Sequence, residues 1–167
     1  ELFSIYDAKK LSKIDMNKKK IKVGFLSPDY HKAHSVTYFI KNLLKDLKHT
    51  KFETHGLSLL KEQQHDESTD ELVPLFNNWV DLGEKTDQEI IDIIQDLEID
   101  ILIDLNGIWG YNRLNIFNTR ICPLQINWLG FNNSTGLKEI DFILADKNTV
   151  KDEEKYYGSK IFKLPKI

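Results

Sequence analysis

The chain has 167 residues, a formal charge of −3, 41% hydrophobic and 29% charged residues, and one cysteine, Cys122. These values fit one globular domain. They exclude a disordered chain, a disulfide framework and a cysteine-built zinc site within the chain. No apolar run approaches the ~20 residues of a bilayer span, no basic segment leads into an apolar one as in a secretory signal, and near-balanced charge argues against a nucleic-acid binder. The expected setting is the cytoplasm. A start at Glu1 rather than at methionine implies a chain trimmed, processed or cut from something longer.

Residues 1–20 carry a basic bias, and the spaced apolar positions of Leu2–Ile14 predict a short helix. Lys18–Lys20 is expected to be a solvated connector. From residue 21 strands and helices alternate. Ile21–Leu26 is a short β-branched apolar run and predicts a strand. Ser35 is a plausible N-cap for a helix whose stripe is Val36, Phe39, Ile40, Leu43, Leu44 and Leu47. Phe52–Leu60 predicts the next strand and Glu62–Asp70 a polar loop. Glu71–Asn78 is a helix that Pro74 would interrupt, and Trp79–Leu82 a short strand. Thr86 and Glu89 form a capping box ahead of the stripe Ile90, Ile91, Ile93, Ile94 and Leu97. Asp100–Leu105 is nearly continuous in apolar content, as buried parallel strands are. Leu114–Thr119 predicts a short helix, and Gln125–Leu129, Phe142–Ala145 and Lys160–Leu164 three further strands. The fold class that follows is α/β: a Rossmann-like, mainly parallel sheet with helices on both faces.

Ligands of such sheets sit beyond the carboxyl ends of the strands. Three loops should emerge there. The first, Ser27–Ser35, holds Asp29, His31 and His34 directly before a helix N-terminus. The free N–H groups and positive dipole end favour a phosphate or a developing oxyanion, and a histidine there shuttles a proton near neutral pH. The plainer alternative is that Asp29 caps a turn and both histidines are exposed loop residues. Two histidines at this spacing do not define a metal site, and no third ligand is indicated. The second loop, Asn106–Arg113, offers Gly107 and Gly110 for close backbone approach and Trp109 or Tyr111 for stacking on a sugar or base. It is equally an ordinary turn whose aromatics cover the sheet edge. The third, Gly130–Gly136, has the small polar residues of a backbone cradle or of a plain turn. Trp128 belongs to the core, and Asp104 is either functional or a cap. Neither a dinucleotide-binding glycine pattern, a P-loop nor a hydrolase nucleophile elbow is present.

In combination the three loops resemble the catalytic region of the O-linked N-acetylglucosamine transferase and SPINDLY proteins, the family 41 glycosyltransferases of two-lobed GT-B type. The family's S-x-D-[FY]-x-x-H motif is similar to Ser27-Pro28-Asp29-Tyr30 with His34, and its H-S-V-x-Y-F-I continuation to His34–Ile40. Its strand ending in D-L-x-G resembles Ile99–Gly107. Its R-P-A-P-x-Q segment and the following W-[LI]-G turn resemble Arg120–Gln125 and Trp128–Gly136. The D-Y-x-x-x-D and L-P endings resemble Asp141–Asp146 and Ile161–Pro165.

The resemblance implies the N-terminal lobe of a GT-B glycosyltransferase over residues 21–167. Residues 1–20 would be a linker helix from an upstream tetratricopeptide region. It implies transfer of N-acetylglucosamine or fucose from a nucleotide-sugar, a UDP or GDP donor, to Ser or Thr of a protein acceptor. Inversion and no metal or other cofactor are implied with it. Asp29 and His34 carry over as catalytic. Ser35, Val36, Gly107, Ile108, Trp109, Leu129, Gly130, Phe131 and Asn132 carry over as lining of the sugar and phosphate pocket. The Asp29–His34 interval is one residue longer than the family's, which makes His31 a second candidate. Tyr6 stands where the family's linker helix has a histidine. Most nucleotide contacts belong to the family's C-terminal lobe, so these residues alone are expected to turn nothing over. The alternatives are a catalytically silent Rossmann-like protein-interaction module and transfer to Asn.

Overall fold

The computed structural model of the chain describes residues 13–32, 34–131, 133–146, 148–150 and 157–165. Among the described residues seven strands form one sheet: β1 (Ile21–Ser27), β2 (Phe52–Ser58), β3 (Asn78–Asp81), β4 (Ile101–Asp104), β5 (Leu124–Trp128), β6 (Phe142–Asp146) and β7 (Lys160–Leu164). Their spatial order is β3-β2-β1-β4-β5-β6-β7, and every pairing is parallel. The chain builds outward from β1 to β3, then returns to the other side of β1 to lay down β4. The switch point therefore lies between β1 and β4, where doubly wound sheets bind ligands.

Helices α1 (Ser35–Leu47) and α3 (Asp87–Asp96) take opposite faces. Val36, Ile40 and Leu44 of α1 pack with Ile21, Val23, Phe25 and Ile103. Ile90, Ile91 and Ile94 of α3 pack with Leu26, Leu57 and Leu102. Successive strand residues point to opposite faces, so Leu102 and Ile103 enter different cores. The α3 N-terminus is the expected capping box: Thr86 Oγ accepts from the Glu89 N–H, and the Glu89 carboxylate accepts from the Thr86 N–H.

Several expectations are corrected. Ser35 does not cap α1. The cap is His34, whose Nδ1 accepts from the Val36 N–H at 3.4 Å, and Ser35 is exposed. Phe39 is also exposed, on the rim of the α1 stripe. The polar stretch Glu62–Asp70 is a single 3-10 turn followed by the start of helix α2 (Glu67–Leu72). Asp66 caps α2 by accepting from the Ser68 and Thr69 N–H groups. Pro74 sits in a 3-10 turn, Val73–Leu75, so no helix continues through Asn78. The short helix expected at Leu114–Thr119 is present, as a 3-10 helix over Leu114–Asn118. β2 ends at Ser58, β4 at Asp104 and β5 at Trp128, each short of the expected strand end.

The basic connector is not merely solvated. Lys18 Nζ donates to Asp100 Oδ1 at 2.7 Å, and Asp100 Oδ2 accepts from the Lys22 N–H. The chain ahead of β1 is thereby pinned to the amino end of β4. Of the expected helix Leu2–Ile14, residues 1–12 lie outside the described residues, and Lys13 and Ile14 are not helical. Among the described residues no helix is long and apolar enough to cross a membrane.

Thr86, which caps α3, and Ser35, which caps nothing, lead to opposite predictions. Thr86→Ala should lower unfolding free energy by about 1 kcal/mol in a urea titration. Ser35→Ala should leave it within about 0.5 kcal/mol of the wild type, because no cap is lost at an exposed site.

Candidate active site at the switch point

The first loop is held from three directions. The Asp29 N–H donates to Ser27 Oγ at 2.9 Å. Thr37, in the first turn of α1, directs its hydroxyl at the backbone carbonyls of Asp29 and His31, at 2.8 and 3.0 Å. Tyr30 is completely buried against Phe76 and Trp79, and its hydroxyl donates to the Phe25 carbonyl. From α2, Thr69 Oγ donates to the Tyr30 carbonyl, and the Asp66 carboxylate accepts from the Lys32 N–H.

The outcome is one carboxylate between two imidazoles. His34 Nδ1 lies 3.7 Å from Asp29 Oδ2, and His31 Nε2 lies 3.9 Å from Asp29 Oδ1. The ring centroids are 6.1 Å apart. The loop thus sets both His31 and His34 beside Asp29. Because His34 Nδ1 accepts from the helix, a neutral His34 carries its proton on Nε2. Among the described residues no group of three or more metal-binding side chains is present.

The second loop rests on Asp104, which is 4% exposed. Its carboxylate accepts from the Asn106 N–H, the Gly107 N–H and Asn127 Nδ2, at 3.0, 3.0 and 2.9 Å. Asp104 and Asn127 are register partners on adjacent strands, so their side chains meet on one face. Burial raises the Asp104 pKa, and these three donors pull against it. Asn106 Nδ2 then donates to the Trp109 and Gly110 carbonyls. Ile108, Trp109 and Tyr111 are left exposed.

Loops two and three form one unit. Trp109 Nε1 donates to the Gly130 carbonyl at 2.8 Å, and its ring meets Phe131 edge to face. Gly107 has φ +63°, and a β-carbon there would lie 2.4 Å from the Phe131 side chain. A β-carbon on Gly130 would lie 2.0 Å from the Leu105 carbonyl oxygen. Leu129 takes φ +76°, an uncommon backbone state for leucine, which ends β5 and turns the chain back toward Trp109.

The structure therefore brings Asp29, His31 and His34 together and joins Gly107, Trp109, Gly130 and Phe131 beside them. Val36 is different: its side chain is core and its N–H is occupied by His34. Tyr6 and Asn132 lie outside the described residues. Thr37, Thr69 and Asp66, which hold the first loop, were not expected. Only the Asp66–Thr69 spacing, that of an N-cap, pointed to any of them.

A parallel sheet with an acid–imidazole cluster at its switch point defines a class: a doubly wound α/β lobe whose candidate ligand site lies beyond the strand ends. The family 41 glycosyl transferase model matches residues 5–166, and the chain belongs to that family. It is 29% identical over 128 residues to an Arabidopsis thaliana protein described as a probable UDP-N-acetylglucosamine–peptide N-acetylglucosaminyltransferase, SPINDLY. That match spans 75% of this chain and 14% of the relative. The SEC protein of the same plant, described by the same activity, is 24% identical over 88% of the chain. A point mutant of the Thermobaculum terrenum O-GlcNAc transferase superposes with a TM-score of 0.81 at 28% identity, over 88% of this chain and 28% of that one. The chain thus spans about one seventh of the SPINDLY relative's length.

Burial holds the Asp29 carboxyl above the ordinary carboxylate range, although His34 and His31 pull it down. Its folded pKa exceeds its unfolded one. The charged form therefore costs stability above the folded value, and the cost fades as pH falls toward the unfolded value. Asp29→Asn should raise the unfolding midpoint by a few degrees at about pH 7. The difference should shrink toward about pH 4 in scanning calorimetry. A lower midpoint at neutral pH would contradict this balance of forces.

Proposed function

We propose that this chain is the acceptor-side lobe of a protein O-glycosyltransferase. It works with a second, nucleotide-binding lobe to move N-acetylglucosamine or fucose from a nucleotide-sugar to Ser or Thr. The observation that carries this is the placement of Asp29 and His34 together at the N-terminus of α1, at the switch point of a family 41 lobe.

Glycosyl transfer from a nucleotide-sugar develops negative charge on the leaving diphosphate. The α1 N-terminus supplies a positive dipole end there, and His34 supplies an Nε2 proton directed away from the helix. Asp29 Oδ2 lies 3.7 Å from Nδ1, on the other side of the ring, so the neutral ring keeps its one proton on Nε2 for a hydrogen bond to the diphosphate. In this reading charge stabilisation of the diphosphate comes from these groups without a metal. The joined second and third loops, with Gly107, Ile108, Trp109, Gly130 and Phe131, line the sugar on the neighbouring strands. A single displacement from the face opposite the diphosphate gives inversion.

The test uses the full-length gene product with UDP-N-acetylglucosamine and GDP-fucose against a pool of Ser/Thr peptides, read by mass spectrometry. His34→Ala should lower kcat by about 100-fold or more, the usual worth of a group that handles a proton in the transition state. Wild-type turnover in that variant would remove His34 from the mechanism. The 167 residues alone should give no turnover, since half of the site is elsewhere. Robust transfer by them would overturn the two-lobe assignment.

A further inference from the structure

A cavity of about 510 Å³ opens on the far side of Asp29, within the range of substrate clefts. Loops after four strands enclose it: Asp29 and His31 follow β1, Leu60 follows β2, Gly83 follows β3 and Arg113 follows β4, with Gln64 at the mouth. His34 does not line it. The two imidazoles thus divide the space around one carboxylate. His34 is turned to the helix N-terminus, and His31 to the cavity.

The chemistry of the walls indicates the occupant. The cavity's cations are already committed. Arg113 is bound to Asp87 at 2.9 Å and to the Lys85 carbonyl, and Lys61 Nζ lies 3.2 Å from Glu84. A nucleotide or phosphate would find no unpaired positive charge on these two side chains. Leu59, Leu60 and Pro28 give the cavity apolar wall. An uncharged polypeptide segment suits such walls, with amide and hydroxyl groups at the rim. His31 faces it with a ring about one-third exposed, and neither ring nitrogen is hydrogen-bonded among the described residues. Its carbonyl, by contrast, is fixed by Thr37 and by the His34 N–H.

We propose that this cavity seats the acceptor polypeptide, and that His31 is the base that takes the proton of the acceptor hydroxyl. The inference rests on the glycosyl transfer assigned above. As the hydroxyl oxygen bonds to the anomeric carbon of the nucleotide-sugar, its proton passes to an imidazole nitrogen of His31. The bond from the anomeric carbon to the diphosphate oxygen breaks, and the nucleoside diphosphate leaves with the electron pair. The products are the glycosylated polypeptide, the nucleoside diphosphate and a protonated His31, whose charge Asp29 Oδ1 faces at 3.9 Å. His34 serves the leaving group and His31 the nucleophile, so one aspartate supports both.

The experiment compares three variants of the full-length gene product, each checked for a wild-type unfolding midpoint, using the same donors and Ser/Thr peptide pool. His31→Ala should lower kcat for transfer about 100-fold or more while both KM values change less than about threefold. Donor hydrolysis by water should persist. His31→Gln should be equally impaired, because it keeps a polar side chain but accepts no proton at neutral pH. Transfer within about threefold of wild type in either variant overturns the base assignment. Gln64→Trp, at the exposed mouth, should raise the acceptor KM about tenfold or more with the donor KM unchanged. An unchanged acceptor KM overturns the cavity assignment. Absence of transfer by the wild type with every donor overturns the transferase function itself, and the inference with it. Transfer by the wild type with a wild-type His31→Ala overturns the inference alone.

Discussion

A carboxylate buried at the end of a central strand must be given donors, and Asp104 takes three. Two come from the backbone of the next three residues and one from the neighbouring strand. Meeting that demand forces the chain to fold back at once after β4, and Gly107 supplies the left-handed turn that lets both amides point at the same group. The loop then carries Trp109 out over the edge of the sheet, where its indole N–H reaches the loop after β5. The geometry of two of the three loops at the switch point thus descends from one desolvated charge. Parallel pairing makes this workable, because the register sets Asn127 directly opposite Asp104.

The first loop obeys a different logic. Among its described residues it carries no buried ion pair of its own, and its backbone is held by hydroxyls and a carboxylate arriving from α1 and α2. Such anchoring fixes the main chain and leaves the side chains of Asp29, His31 and His34 turned outward into partly exposed positions. The completely buried ring of Tyr30 sits at the centre of this arrangement. Rigid backbone below and partly exposed side chains above is the division that the proposed role of this loop calls for.

Much of the fold was legible from hydrophobic period alone. The runs at Ile21, Asp100 and Phe142 are short, apolar and β-branched, and each became a strand within a residue or two of its expected limits. The capping box at Thr86 marked the start of α3 because both partners are local in sequence. Where partners are distant the sequence was silent. Nothing near Lys18 announces Asp100, and nothing near Thr69 announces the Tyr30 carbonyl. Helix α2 was missed because few of its residues face the core, with Leu72 and Thr69 its buried positions. The α1 cap was misassigned because histidine is not among the usual capping residues, while the adjacent serine is. At the site, residue types and loop positions were foreseeable from the order of strands. That the interval between Asp29 and His34 would place a second imidazole on the opposite carboxylate oxygen was not, since it depends on how the loop is anchored.

The contact between Gly107 and Phe131 has a consequence for how this lobe can diversify. A β-carbon at 107 and a benzyl group at 131 claim the same volume. The positive φ at 107 further restricts entry to residues that tolerate a left-handed backbone. Single substitutions at 107 are therefore opposed on two independent grounds, and since the nearest atom is the Phe131 β-carbon itself, at 2.4 Å, only glycine at 131 clears the space without moving the loop. The order of such changes is dictated by the packing. Position 131 must vary first, and the contact between the second and third loops changes as a pair of residues with a fixed direction of travel.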